Sequence, residues 1–500
     1  MNTSTKHWQV PALWRWLTIA AILSFIPSLF FPYVGEEGVY TISTLEMWHA
    51  RVWANPMLYG LDYNRPPFMN WVMLPFGMLF GPGHILVASR LITALSTLGT
   101  AGVLYGLTRQ FGGSRRLAWI ALLVYLSSDA LLYHGWIAYS DPLFALLISG
   151  AVACLLVAAK MQRTKLLVAS VVLITLAFLT KALTAYVFLG SAWLIIFWRH
   201  KDARRCLLSL GALCCYALLI AAPIIWFGLN SKAGFVGQGS AMVGDIINRI
   251  VGGSLGAWFW QLVSFPLETF CRFLPVSAIA LYAFFRCSNA AMPDAETSSL
   301  DKWAGTIALF VLLNFLPYWF STHGSIRYVL PLYPFIALLI AFAIERGFAR
   351  VGKVTLILIA VVIGLKLIAS AFFPMLHVRQ RGDSAAVAKS FIAITGRSDR
   401  IFTDDTSSAG LCVIGNIDSL RWSSAPVTWP PLGTPDGWII SRSSSRPGTS
   451  VVREEKLGRE RIFLLCSGKT CDSSGTQLNR VDATKASTGG QTHSNLIGAG

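Results

Sequence analysis

Seven ionisable residues sit beside long apolar runs, and their types define the chemistry open to them. Glu36 and Glu37 directly follow the first run, Arg65 stands in Asn64-Arg65-Pro66-Pro67, Asp141 opens a run, Lys181 interrupts one, and His323 and Arg327 frame the start of a later one, with Tyr328 next to Arg327. Charge at membrane depth is costly, and a residue that carries it there marks a functional site by default. Carboxylates can take a proton from an attacking hydroxyl, and cations can stabilise a phosphate as negative charge develops on it. Together these groups suit an anionic, lipid-linked substrate.

Each residue also has a plainer use. Asp141-Pro142 fits a helix N-cap followed by proline in the first turn, Lys181 can snorkel from a helix end, the glutamate doublet can solvate a loop, and His323 reads as a loop histidine. Arg327 is harder to explain in this way, because a cation at a helix N-terminus opposes the helix dipole and calls for a partner. The doublet at 36–37 calls for one too, and Arg65 is the candidate. Arg51, Asp62, Asp129, Asp245 and Glu268 read as solvated or interfacial.

The elements that carry these residues are membrane helices. Of 500 residues 54% are apolar and only 13% charged, with a mean hydropathy of +0.58, which excludes an ordinary soluble protein. A net charge of +17 would suit nucleic acid, but residues 1–373 intersperse their 26 basic and 13 acidic side chains between apolar runs. No basic stripe follows a phosphate backbone, so no nucleic-acid partner is expected.

Eleven runs approach the roughly 20 residues that cross a bilayer. They lie at 13–31, 84–108, 117–133, 141–159, 165–180, 182–198, 206–228, 267–286, 303–320, 326–344 and 354–373. As one helix, Lys165 to Trp198 would be about 51 Å long, so a break near Lys181 is required. The expectation is an all-α polytopic membrane protein of about 11–13 helices, the upper figure counting short pieces in the outer loops. The first run, Leu13 to Phe31, lacks a small-residue cleavage site and reads as a retained helix.

Cytoplasmic loops collect Lys and Arg. One set of loops carries seventeen and the other seven, leaving aside Arg90 and Lys366, which fall within runs. The N-terminus is therefore expected inside and the C-terminal tail outside, which puts all seven chemistry-bearing residues at the outer face. Two outer loops are long. That at 32–83 is rich in Tyr and Trp and suits interfacial helices forming a lid or platform; that at 229–266 is Gly-rich and then aromatic. The expected units are a membrane domain at 1–376, a small α/β domain at 377–475 with strand-like runs at 400–403, 438–440 and 462–465, and a disordered tail at 476–500. Cys412, Cys466 and Cys471 of that domain allow one disulfide in an oxidising compartment. Ser467-Gly468-Lys469-Thr470 fails as a phosphate loop because Phe463 occupies the position of the first glycine. Gly102 and Gly106 are spaced for helix packing, and no usable metal-ligand spacing is present.

The order of motifs is informative as a set. Glu36-Glu37-Gly38-Val39-Tyr40, Tyr63-Asn64-Arg65-Pro66-Pro67-Phe68-Met69-Asn70-Trp71, Tyr139-Ser140-Asp141-Pro142-Leu143, Leu176-Ala177-Phe178-Leu179-Thr180-Lys181 and Arg327-Tyr328-Val329-Leu330-Pro331-Leu332-Tyr333-Pro334 together resemble the bacterial GT-C membrane glycosyltransferases of the aminoarabinose-to-lipid-A transferase and protein O-mannosyltransferase superfamily, over residues 13 to about 345. The family typically has Asp-Glu at 36–37 and Glu-Lys-Pro-Pro at 64–67. Arg65 keeps the cation and adds a forked donor suited to phosphate. Asn64 removes an acid where the family would build a metal site, and divalent-ion dependence stays open.

The resemblance implies an inner-membrane enzyme that moves a sugar, with inversion, from a polyprenyl-phosphate donor to a lipid A, glycan or protein acceptor at the periplasmic face. By it Glu36 is the leading base or transition-state stabiliser, with Glu37 and Asp141 shaping the catalytic group. Arg65, Lys181 and Arg327 would hold the donor phosphate, with Tyr328 and His323 beside them. The competing classes are a transporter or lipid flippase, whose site would lie near the midplane of repeated halves, and a catalytically inactive scaffold of the same fold.

Overall fold

A computed structural model describes residues 12–63, 65–181, 183–230, 254–287, 295–322, 324–397, 400–431, 433 and 436–471. His323, Asn64, most of the 229–266 loop and the 476–500 tail lie outside the described residues. The helices used below are α1 Ala12–Leu23, α2 Glu37–Ala50, α3 Phe68–Phe80, α4 Ile85–Gln110, α5 Arg115–Ser127, α6 Asp141–Met161, α7 Lys165–Thr180, α8 Thr184–Arg199, α9 Leu210–Asn230, α10 Leu255–Cys271, α11 Val276–Cys287, α12 Ala295–Trp319, α13 Tyr333–Arg346, α14 Phe348–Arg381, α15 Ser384–Thr395 and α16 Ser408–Leu420.

Each of the eleven apolar runs is helical, and the protein is polytopic. Among the described residues six helical stretches are long and apolar enough to cross a bilayer, or seven when α10 and α11, bent by 97°, count as one span. This is fewer than the eleven expected because several runs fold into shorter pieces: α7 and α8 have 16 residues each and α5 has 13. The required break falls at Lys181, where α7 stops before α8 starts. Helix α6 is the bundle's centre, buried along most of its length, whereas α9 and α14 turn Leu218, Ile220, Leu365, Ile368 and Phe372 outward. Apolar side chains on an outer surface cost nothing in hydrocarbon, so such helices can line the lipid face. Lys366 of α14 is buried instead, donating to the carbonyls of Leu126 and Ser128 at 2.7 and 2.6 Å. Its charge is used inside the bundle, not in a loop.

The 32–83 loop holds α2, a two-residue hairpin pairing β1 (Met57–Leu58) with β2 (Leu61–Asp62), and α3. Helix α14, at 34 residues, runs for about 51 Å and leads directly to the C-terminal domain. That domain holds α15, α16 and a sheet of β3 (Ile401–Thr403), β4 (Gly437–Ser441), β5 (Thr449–Leu457) and β6 (Glu460–Ser467) in the order β3-β4-β6-β5. The β3–β4 pair is parallel and the others antiparallel. Asp383 caps α15 and Ser407 caps α16 through backbone N–H groups. Cys466 and Cys471 form a disulfide, and Cys412 is free. The domain's core also takes in Val39, Ile42 and Tyr59 of the first loop, so α2 is packed on both its sides.

Candidate active site

The two glutamates after α1 have different surroundings. Glu37, in the first turn of α2, is fully buried, and Arg90 of α4 meets it with two charge-assisted hydrogen bonds of 2.8 and 2.5 Å. The backbone N–H groups of Val34 and Ala138 complete its carboxylate, at 2.8 Å each. Arg90 is saturated in turn by the carbonyls of Ser28, Phe31 and Pro32. Such a pair persists only because every lone pair and N–H is satisfied. Glu37's partner is therefore Arg90 and not Arg65, correcting the sequence expectation. An arginine inside an apolar run was itself the signal, since charge at that depth demands a partner.

Glu36 is the N-terminal flank of α2, and its side chain keeps 55% of its surface exposed. Its own backbone N–H donates to the Tyr139 hydroxyl at 2.8 Å. Gly35 turns there with φ +60, where a Cβ would meet that hydroxyl at 2.6 Å. The Glu36 carboxylate points to Arg327, 3.6 Å away. Arg327, in the 3-10 turn Ile326–Leu332 that leads into α13, lies 5.2 Å from the ring of Tyr328 and 5.8 Å from that of Tyr139.

Lys181 and Asp141 close the group. Asp141 is the first residue of α6, and its cap position is filled by Ser140, whose side chain makes no capping bond. The Asp141 carboxylate is free to pair with the Lys181 ammonium, in contact with it across the α6–α7 end. Neither the N-cap nor the snorkelling alternative describes this pairing of a buried carboxylate with a half-buried ammonium. The same ammonium sits 4.9 Å from the Tyr328 ring, which itself stacks on Tyr318. Arg65 is exposed and donates to the Tyr40 hydroxyl at 3.3 Å, and Tyr40 shares a hydrogen bond of 3.0 Å with Ser140 beside Asp141.

Glu36, Arg65, Asp141, Lys181, Arg327 and Tyr328, drawn from five stretches of chain, thus meet at one end of the bundle, with Glu37 directly behind. Tyr40, Ser140 and Tyr139 were not assigned from sequence, although Tyr139 and Ser140 lie in the motif that holds Asp141. Burial pushes the Tyr63 phenol up to about 12 and raises that of Tyr139 as well, so both hydroxyls stay protonated beside the site. A carboxylate with open surface, three cations and a wall of phenols can bind a phosphate ester and accept a proton from a hydroxyl that attacks it. Among the described residues no three His, Cys, Asp or Glu side chains gather to hold a metal ion.

A solved structure of ArnT from Cupriavidus metallidurans bound to undecaprenyl phosphate superposes with a TM-score of 0.68, covering 91% of this chain and 98% of that one at 16% identity. The chain has the GT-C membrane glycosyltransferase fold. The archaeal oligosaccharyltransferase AglB from Archaeoglobus fulgidus, solved with an inhibitory peptide and a dolichol-phosphate, shares this GT-C architecture at a TM-score of 0.52 and 11% identity, over 86% of this chain and 69% of its own. A family model described as dolichyl-phosphate-mannose-protein mannosyltransferase matches residues 64–227. An undecaprenyl phosphate-alpha-4-amino-4-deoxy-L-arabinose arabinosyl transferase of Proteus mirabilis is 27% identical over 155 residues, 30% of this chain. One from Edwardsiella ictaluri is 29% identical over 27% of this chain. The matched stretches span 28% and 25% of those relatives' own lengths.

Proposed function

We propose that the protein transfers a pentose or hexose from a polyprenyl-phosphate donor to a lipid A, glycan or protein acceptor at the periplasmic face of a bacterial inner membrane. The observation that carries this reading is the convergence of Glu36, Arg327, Lys181, Asp141 and Arg65 at one end of a GT-C bundle. The N-terminus then lies in the cytoplasm, and the unit from residue 377 to 475 lies in the periplasm above a membrane unit of residues 1–376.

In the reaction the acceptor hydroxyl oxygen bonds to the anomeric carbon and the bond from that carbon to the phosphate oxygen breaks, with inversion. The hydroxyl proton passes to the Glu36 carboxylate, and the electron pair stays on the departing polyprenyl phosphate. Arg327, Lys181 and Arg65 stabilise that phosphate, with Tyr328 as the aromatic floor beneath two of them. Asp141 holds Lys181 in place, and Glu37 with Arg90 holds the loop that bears Glu36. The test is purified protein in sealed proteoliposomes with a labelled polyprenyl-phosphate sugar and a lipid A or peptide acceptor. Release of polyprenyl phosphate matched by labelled acceptor is expected. Label that crosses the bilayer unchanged would indicate a transporter instead, and binding without release an inactive scaffold.

A further inference from the structure

The turn that presents Glu36 is gripped from two directions. On the membrane side, the Tyr139 hydroxyl takes the Glu36 N–H, and Arg90 fixes Glu37. On the other side lies α16 of the C-terminal domain. The Cys412 thiol donates to the Gly35 carbonyl, with sulfur and oxygen 3.4 Å apart. Two residues after Glu36, Gly38 lies so close under the Leu411 carbonyl that a Cβ would collide with it. Gly415 is pressed against the ring of Tyr33, whose hydroxyl donates to the Gly415 carbonyl at 3.3 Å and also meets Thr41 and Ser419. Val39 and Ile42 continue the contact into the domain's core with Leu411, Ile414 and Ile417.

Resting on the reading above, we propose that the C-terminal domain is a working part of the catalytic centre: α16 positions the Gly35–Gly38 turn, and through it the Glu36 carboxylate, against the acceptor hydroxyl. The two residues that would grip the donor phosphate most deeply, Lys181 and Arg327, are carried by the ends of membrane helices. Loss of the α16 contact therefore separates two functions. The base moves and the phosphate grip stays. A displacement of about 1 Å at a reacting group costs on the order of a hundredfold in rate, whereas the thiol-to-carbonyl bond alone is a weak one.

The experiment uses full-length Gly38→Ala and Cys412→Ala proteins in nanodiscs. Sugar transfer, polyprenyl phosphate binding and hydrogen exchange of the 33–41 amides are measured in parallel. Expected are a fall in kcat of at least about tenfold for Gly38→Ala and about twofold to threefold for Cys412→Ala. The Kd for polyprenyl phosphate stays within about twofold, and exchange at 33–41 rises in both variants. Unchanged kcat in Gly38→Ala overturns the proposal, as does a joint collapse of kcat and binding. Should Gly38→Ala not accumulate, Gly415→Ala, whose new methyl would lie 2.9 Å from the Tyr33 ring, carries the same expectation. Wild-type protein that transfers no sugar refutes the functional reading instead, and the exchange data then decide the docking: unaltered protection in Gly38→Ala overturns it.

Discussion

Glu36 and Glu37 adjoin in the chain and differ in what their carboxylates have left to do. Glu37 spends every lone pair on Arg90 and two backbone N–H groups inside the bundle. Glu36 has an open carboxylate and a long, 3.6 Å approach to a cation that also faces two phenols. A saturated buried ion pair is a fixture, because any partner it might offer a substrate is already engaged. An unsaturated one at a surface keeps capacity for a ligand. The same contrast separates Arg90 from Arg327, and under the proposed function it assigns chemistry to the exposed group and anchorage to the buried one.

The sharpest way to break this comparison is to exchange the roles. Glu36→Gln keeps the shape of the side chain and removes the proton acceptor, so transfer is expected to fall by about a hundredfold to ten-thousandfold while the protein remains in the membrane at normal abundance. A variant that retains transfer would end the assignment of Glu36 as base. Glu37→Gln leaves Arg90 buried beside a neutral amide, and breaking a buried pair costs about 3–5 kcal/mol. Here the expected readout is a lower unfolding midpoint and less protein in the membrane, with the loss of activity tracking the loss of folded protein. Stability equal to wild type would show that Arg90 and Glu37 are not an anchor.

Next in size is the phosphate grip. Hydrogen bonds to a charged group contribute about 1.5–3 kcal/mol, so Arg327→Gln should weaken polyprenyl phosphate binding by about tenfold to a hundredfold. Binding titrations in nanodiscs measure it, and an unchanged Kd would remove Arg327 from the donor site. Lys181→Met is expected to combine this effect with destabilisation, because Asp141, only 5% exposed, would then hold a buried charge without its ammonium.

The sequence disclosed the apolar runs, the break at Lys181 and the ends of helices that bring Glu36, Asp141, Lys181 and Arg327 together, because helix length and bilayer thickness are rigid measures. Pairings were hidden. Arg90 meets Glu37 across 53 positions, and periodicity carries no record of which helix a buried cation faces. Strand β5 was missed for a related reason. Thr449–Leu457 lies at the edge of the sheet and carries Arg453, Glu454, Glu455 and Lys456, charges that protect an edge and erase the apolar signal of a strand. The docking of α16 on α2 was equally silent, since Gly38 and Gly415 acquire meaning only when the opposing backbone and ring are in view.

The smallest expected effect concerns pH at that docking surface. Glu46 of α2 is buried and accepts from the N–H groups of Tyr59 and Gly60, and Asp418 of α16 is buried and accepts from the N–H of Val427. Burial pushes Glu46 up to about 8, helped by the charge of Asp418, and pushes Asp418 up to about 7 against the pull of Arg421. Asp418 Oδ2 is buried and has no hydrogen-bond partner among the described residues. Both folded-state values stand above the ordinary carboxylate range, so the stability these groups give is complete at acid pH and is lost as pH rises through about 7 and then about 8. Two carboxylates ionised on facing helices would then loosen α16 from α2, while Glu37 and Arg90, saturated on the membrane side, keep their hold. Protection factors at residues 33–60, corrected for the base-catalysed intrinsic exchange rate, are therefore expected to fall about twofold to threefold between pH 6 and pH 9 in wild type and to stay level in Glu46→Gln/Asp418→Asn, each neutral side chain mimicking the protonated acid. Equal protection at both pH values in the wild type would show that the two acids are not coupled to the joint, and would leave the anchor beneath Glu37 as the part of this loop that holds it against pH.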